Sequence, residues 1–191
     1  MALARKFGAA VLAATLTLTA TQVADAAGPR RGQSGQQQVA AAPTATSTTV
    51  DINSELLYLI EEEKLAYDVY RAMLNAHGTR IFENISASEA THQNAALPLL
   101  QKRGLTDPRL GAGKFSDPGL QKLYDELVAK GVQSPRDALE VGRTIEEMDI
   151  ADLEQVLAGI GPEDADVRTV MENLLKASRN HLSAFNRQLA L

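Results

Sequence analysis

The feature that most constrains this chain is a glutamate and a histidine, Glu89 and His92, inside a helical stripe that is otherwise apolar. Residues three or four positions apart share one face of a helix. On that spacing the pair shares its face with three apolar residues, Ile85, Ala96 and Leu99. Such a stripe is expected to face a core. A buried carboxylate is costly unless another group pairs with it, so the fold must bring a partner to Glu89.

Three other segments repeat this pattern, each with an acid or a histidine in the middle of an apolar stripe. Helix-start pairs such as Ser134-Pro135 and helix-stop glycines such as Gly78 bound these segments. The polar positions inside the stripes are Glu63 in the first segment, Glu146 and Asp149 in the third, and His181 in the fourth. We therefore predict an all-α bundle of four long helices that share one polar centre, over about residues 54–77, 86–103, 134–158 and 163–190.

Two of these positions have a second interpretation. Ser86 and Glu89 also have the spacing of a capping box, in which Glu89 would reach back to a backbone N–H at the helix start. On the third helix, Asp152 competes with Glu146 and Asp149 for the inward face, whereas Glu147 is assigned to the solvent side. The run Glu61–Glu63 can also be a solvated charge run, although the periodicity places Glu63 inside.

A connection of some thirty residues separates the second and third predicted helices. Residues 105–116 have the composition of a loop, and Asp117-Pro118 then opens a short helix that ends near Gly131. A link of this length can cross the whole bundle. We therefore predict a short extra helix within a long crossover.

The N-terminal region has a different composition from the rest of the chain. Arg5 and Lys6 precede an apolar run and then Ala24-Asp25-Ala26, which is the pattern of a secretory signal peptide over residues 1–26. Residues 27–50 are rich in Gly, Gln, Ala, Ser and Thr, which predicts a low-complexity flexible linker. Residues 51–191 then form one domain. We expect an exported protein, periplasmic or extracellular, with no stable membrane insertion after signal cleavage.

The charge and the residue types restrict the function. The chain carries a net charge of -5, and residues 51–191 contain 23 acids against 15 Lys and Arg. This balance argues against nucleic-acid binding, which requires a basic surface. Because cysteine is absent, a metal site would have to use Asp, Glu and His. Those ligands suit iron or manganese, and zinc stays open. Inward acids and histidines on four helices also match the ligand plan of a carboxylate-bridged two-metal site.

Five segments are similar to a known family: EEEKLAYDVY, FENISASEATHQNAALPLL, LYDELVAKG, IEEMDIADLEQVL and LLKASRNHLSAFNRQL. They resemble the bacterial ferritin-like family called domain of unknown function 2202, across nearly all of residues 52–190. The resemblance implies a ferritin-like four-helix bundle with a long crossover between helices two and three. It implies the metal ligands Glu63, Glu89, His92, Glu146 with Asp149, and His181. Ser178 departs from the pattern, because a full Glu-x-x-His motif would have Glu there.

Two functions follow as hypotheses. The first is an exported ferritin-like protein that binds one or two iron or manganese ions in its core, for metal handling or oxidant defence. The second is a metal-free helical interaction module tethered in the cell envelope, in which the inward acids pair with other side chains. Metal ions are the expected partners, and both catalysis and a homodimer are left open.

Overall fold

The computed structural model describes residues 50–191, and the elements in this range are all helical. The predicted signal peptide and all of the predicted linker except Val50 lie outside the described residues. The elements are α1 (Ile52–His77), α2 (Arg80–Lys102), α3 (Pro118–Gly131), α4 (Pro135–Gly159), a 3-10 turn (Pro162–Asp164) and α5 (Ala165–Leu189). The predicted fold class, four long helices with a short extra helix between the second and third, is confirmed.

The first helix begins earlier than predicted. Asp51, not Ser54, is the N-cap of α1, because its carboxylate accepts hydrogen bonds from the Asn53 N–H and from the Ser54 hydroxyl. The predicted stop at Gly78 is confirmed. This glycine has a φ of 66°, in the left-handed region that glycine enters without steric cost.

The start of α2 corrects the capping interpretation of Glu89. The helix begins at Arg80 with Thr79 as its N-cap, so Ser86 lies well inside it. The Ser86 hydroxyl donates a hydrogen bond to the Glu83 carbonyl at 3.1 Å and does not cap the helix. Residues 80–85, which precede the predicted start of this helix at residue 86, are helical as well. Glu89 is therefore a mid-helix residue that faces the interior.

The four long helices form a closed ring in the order α1, α2, α5, α4, and α3 packs against α1 and α4. Tyr70 meets Phe82 on α2 while Glu63 meets His92, so α1 and α2 are antiparallel. Tyr70 also meets Glu146 on α4, and Glu62 lies beside Asp152, so α1 and α4 are antiparallel too. Because α2 and α4 therefore run in the same direction, the link between them must travel the length of the bundle.

Charged side chains on α1 hold this crossover in place. The Glu61 carboxylate accepts hydrogen bonds from the backbone N–H groups of Ser116 and Asp117, at 2.6 and 3.2 Å. Lys64 and Asp68 form a buried ion pair. From it, Lys64 donates to the Lys114 carbonyl and Asp68 accepts from the Gly113 N–H. Glu61 thus serves the crossover, which explains why it is buried although periodicity does not place it in the core.

The apolar core is divided into two clusters. One is centred on Tyr70, Phe82 and Phe185, and the other on Leu56, Leu100 and Met171. The inward acids and histidines occupy the level between the two clusters, so the polar centre is enclosed by apolar packing toward both ends of the bundle. None of the helices within residues 50–191 is long and apolar enough to cross a membrane.

Candidate metal centre

Glu89 is the middle residue of the polar centre. One of its oxygens, Oε2, lies 2.7 Å from His92 Nδ1, one turn further along α2. The other, Oε1, lies 3.0 Å from His181 Nδ1 on α5. The two imidazoles are nearly parallel, with ring centres 5.7 Å apart. A single carboxylate therefore joins two histidines from different helices.

Two further glutamates complete a group around each histidine. Glu63 Oε2 on α1 lies 3.1 Å from His92 Nδ1, and Glu146 Oε2 on α4 lies 3.5 Å from His181 Nδ1. Two sets of ligand atoms within 4.8 Å of one another result, Glu63 with Glu89 and His92, and Glu89 with Glu146 and His181. The sets share Glu89. The bundle thus brings five of the six sequence-predicted site residues into two adjoining groups.

The sixth predicted residue, Asp149, belongs to neither of these groups. It is half-buried and lines a small cavity beside the centre together with Glu62, Glu63, Glu89 and Glu146. Ser178 lies next to it, and the Ser178 hydroxyl donates to the Leu174 carbonyl at 2.9 Å. Asp149 therefore brings a carboxylate close to the position at which α5 carries Ser178.

Neighbouring polar groups orient the outer sides of these residues. The Tyr70 hydroxyl donates a hydrogen bond of 2.6 Å to Glu146 Oε1 and leaves Oε2 turned toward His181. Ser88 Oγ lies 3.4 Å from His92 Nε2, one turn before it on α2. The contact from Ser88 leaves His92 Nδ1 facing the carboxylates of Glu63 and Glu89. Such outer contacts hold metal ligands in position and tune their affinity.

The two histidines carry most of the positive charge that balances the buried acids. Burial alone would lower the pKa of each imidazole, but Glu63 and Glu89 raise the pKa of His92 to about 11. In the same way, Glu146 and Glu89 raise the pKa of His181 to about 9. Burial would raise the pKa of Glu89, yet the two imidazoles lower it to about 2. In the metal-free centre, these shifts favour an ionised Glu89 carboxylate and the protonated forms of both imidazoles.

The two imidazoles do not balance the negative charge that the remaining acids of the centre would carry. Burial, followed by the negative charge of Asp149, raises the pKa of Glu63 well above its usual value. Burial also raises the pKa of Asp149 to about 7, and the negative charges of Glu146 and Glu89 add to this effect. Several carboxylates therefore compete for two imidazoles, which is the situation that a bound cation relieves.

Three buried atoms of the centre make no hydrogen bond to any residue that the structure describes: Glu63 Oε1, Glu89 Oε1 and His181 Nδ1. The last two are close enough for an ion pair but are not aligned as donor and acceptor. Buried polar atoms are nearly always satisfied in folded proteins. Since these three atoms belong to residues of the two ligand groups, the donor set fits a hard, oxygen- and nitrogen-binding cation such as iron or manganese.

Sequence reasoning missed part of this arrangement. Glu62 was left open between core and solvent, and the structure places it half-buried at the cavity beside Glu63. A run of three glutamates gives no signal that separates its members. Tyr70, on the first predicted helix, is fully buried, and its hydroxyl donates to Glu146. Glu147, predicted to face solvent, has an exposed side chain.

Comparison with known proteins gives concordant results at the levels of family and structure. A family model described as "Uncharacterized protein domain (DUF2202)" matches residues 52–191. The uncharacterized protein MJ0754 of Methanocaldococcus jannaschii is 48% identical over 136 residues, which is 70% of this chain and 72% of that protein. A crystal structure of hypothetical protein MJ0754 superposes with a TM-score of 0.71 at 43% identity, covering 78% of this chain and 86% of that one.

Proposed function

Because the chain belongs to the DUF2202 family, an uncharacterized family, we propose a function from the chain's own residues. The proposal is an exported, ferritin-like protein that holds two iron or manganese ions in the core of its bundle, for metal handling or oxidant defence. The observation that carries it is the shared carboxylate Glu89, which belongs to both ligand groups. Export is proposed from the signal-peptide pattern of residues 1–26.

The proposed ligands fall into two positions that meet at Glu89. Glu63 and His92 would hold one ion, and Glu146 and His181 the other. Asp149 is the further ligand that would compensate for Ser178, because its carboxylate lies next to that serine at the cavity. This division follows the ferritin-like plan, in which two helices give a Glu and two give Glu-x-x-His. The acid that α5 lacks at Ser178 would be supplied by Asp149 on α4.

The environment of the centre would suit a reactive metal. Bound iron or manganese would supply Lewis acidity and electron transfer. The chain itself holds the ligands at fixed positions between two apolar clusters and leaves a cavity of about 20 Å³ at their side. That space is enough for one or two water-sized molecules, so the centre admits small ligands and excludes larger organic ones.

The test is metal titration of the purified full chain and of two histidine variants. Wild-type protein should take up two equivalents of Mn²⁺ at saturation, measured by equilibrium dialysis and elemental analysis. The double variant His92→Ala with His181→Ala should lose this uptake. His77→Ala is the matched control, because His77 contacts the Gly131 carbonyl away from the centre and its loss should leave two equivalents bound. Unchanged uptake in the double variant would contradict the proposal.

A second candidate, a metal-free interaction module, is favoured by one observation. The two histidines already form ion pairs with all three buried glutamates of the centre, so protonated imidazoles can neutralise part of the charge without a metal. Treatment with a chelator separates the candidates, because a ligand bound to the native state stabilises it by mass action. The metal-free module keeps its Tm after chelation, whereas the metal protein loses several degrees and regains them when Mn²⁺ is returned.

A further inference from the structure

The cavity beside the centre connects buried and half-exposed acids. It is lined by residues of α1, α2, α3 and α4, and its floor includes the buried glutamates of both ligand groups. Its rim is half-buried and consists of two acids, Glu62 and Asp149, and two apolar residues, Leu123 and Met148. The cavity therefore reaches from the floor of the centre toward the outside of the bundle.

We propose that this cavity is the entrance through which divalent cations reach the centre, and that Glu62 and Asp152 form its outer capture site. The inference rests on the proposed function, because an entrance has meaning only if the centre binds metal. In this arrangement Glu62 and Asp152 take up a hydrated cation first. The ion then gives up most of its water before it enters the cavity, which has room for one or two water-sized molecules. Asp149 then passes it to Glu63 at the floor.

The acids are placed in a suitable order for this role. Glu62 on α1 and Asp152 on α4 lie within hydrogen-bonding reach of each other, and both are half-buried. Asp149 lies one turn along α4 from Asp152 and lines the cavity with Glu62 and Glu63. Carboxyl groups from two helices thus form a continuous path from the rim to the floor. Glu62 and Asp152 belong to neither ligand group of the centre, so the centre itself does not account for them.

A separate observation points to a cation at the inner end of the path. Glu63 is only 2% exposed, yet its Oε1 atom has no hydrogen-bond partner among the described residues and the side chain lines this same cavity. An unpartnered carboxylate oxygen at a cavity that four other acids also line is a ready ligand for a cation that arrives there. Toward the two ends of the bundle, apolar clusters close the centre, whereas acids line the cavity at its side.

The physical effect of the capture site is on the rate of binding. A cleft lined by charges of one sign and bounded by apolar walls focuses the electric field and raises association rates by about 10- to 1,000-fold. The effect weakens as salt screens the charges. Neutralising Glu62 and Asp152 should therefore slow metal entry and reduce its dependence on ionic strength, while the ligands of the centre stay in place.

The experiment is stopped-flow mixing of Mn²⁺ with the full-length metal-free protein. Binding is monitored by the quenching of tyrosine fluorescence, with Tyr70 as the tyrosine beside the centre. In Glu62→Gln with Asp152→Asn, the association rate constant should fall at least about tenfold and lose most of its salt dependence. The amount of Mn²⁺ bound at saturation should stay at two equivalents. The matched control is Glu147→Gln with Glu154→Gln, which removes two exposed acids from α4 and should change the rate less than about twofold.

Two results would overturn the entrance. One is a double variant that binds Mn²⁺ as fast as wild type, with the same salt dependence. The other is a loss of equilibrium stoichiometry, which would make Glu62 or Asp152 a ligand of the centre. A wild-type protein that takes up no Mn²⁺ is a different failure, because it contradicts the metal-binding proposal itself. Asp152→Asn alone, at a residue outside the cavity lining, provides a milder variant that should slow entry in the same direction.

Discussion

At the scale of single residues, the position of Glu89 decides the chemistry of the centre. Its two oxygens face two histidines from different helices, at 2.7 and 3.0 Å. Without metal, the raised pKa values of the two imidazoles favour a carboxylate between two protonated rings. With metal, the same carboxylate is available to two neighbouring positions. The proton content of the two histidines therefore sets the balance between the two states.

Tyr70 provides the first residue-scale prediction. Its hydroxyl donates to Glu146 Oε1 at 2.6 Å, and both side chains are buried. Tyr70→Phe should leave this oxygen without its donor, lower the free energy of unfolding by about 1–3 kcal/mol and weaken Mn²⁺ binding by about tenfold. Two equivalents should still bind at saturation. Denaturant unfolding and equilibrium dialysis measure the two effects.

The control for Tyr70→Phe is the same change at Tyr124. This tyrosine is half-buried on α3, where its ring packs against Phe115 and not against the centre. Tyr124→Phe should leave the Mn²⁺ affinity unchanged. Equal losses of affinity in both variants would show that the Tyr70 hydroxyl has no special role at Glu146.

A second residue-scale prediction concerns pH. The folded pKa values of His92 and His181, about 11 and about 9, lie above the unfolded value of 6.5. Their contribution to the stability of the metal-free protein is therefore complete below pH 6.5 and is lost as pH rises through about 9 and about 11. For His181 alone the loss amounts to about 3 kcal/mol at most. Urea unfolding in chelator between pH 6 and 10 should show the decline.

Metal binding should depend on pH in the opposite direction. A metal ion requires neutral imidazoles, so it must displace the protons that the metal-free centre holds. The apparent Mn²⁺ affinity should rise from pH 6 to pH 9, and calorimetry in buffers of different ionisation enthalpy should detect proton release. An affinity that falls over this range, or binding without proton release, would contradict the assignment of His92 and His181 as ligands.

At the scale of elements, the helices follow the sequence pattern more closely than their ends do. Stripes at helical spacing predicted Glu63, Glu89, Glu146 and His181 at the interior, because burial of one face is a periodic property. The start of α2 was misjudged because Ser86 and Glu89 have capping-box spacing, whereas the actual cap at Thr79 makes no side-chain hydrogen bond. A cap without a side-chain bond leaves little trace in sequence.

The anchoring of the crossover could not be predicted from sequence. Lys64 and Asp68, four residues apart on α1, have the pattern of an ordinary exposed ion pair. They are buried because their partners include the Lys114 carbonyl and the Gly113 N–H. Nearly every residue of a loop has a backbone N–H and a carbonyl, so the sequence does not show which of them will bind a buried side chain. The crossover path, and with it the position of α3 over the cavity, therefore required the structure.

The buried pair provides the element-scale prediction. Lys64→Met should leave Asp68 as a buried charge without its partner and destabilise the protein by about 3–5 kcal/mol. The double variant Lys64→Met with Asp68→Leu removes both charges and should recover most of that loss. Thermal and urea unfolding of the two variants measure the difference. If the double variant is no more stable than Lys64→Met, the burial of an unpaired charge is not the cause of the loss.

At the scale of the whole molecule, the residues that pack the bundle are distinct from the polar residues of the centre. Two apolar clusters supply the burial that holds the helices together, and the acids and histidines occupy the level between them. A bound metal would add to stability through mass action, by about 2.7 kcal/mol at a free concentration one hundred times the Kd. We therefore expect the metal-free protein to keep its helical fold, with a lower Tm than the metal-bound protein.

Anomalous diffraction from a crystal of the protein grown with Mn²⁺ would show directly whether two metal positions meet at Glu89. We expect two anomalous peaks, one on each side of the Glu89 carboxylate. The first should contact Glu63 and His92, and the second should contact Glu146 and His181. An ordered centre with no anomalous peak, and with His92 and His181 still paired directly to Glu89, would contradict this expectation.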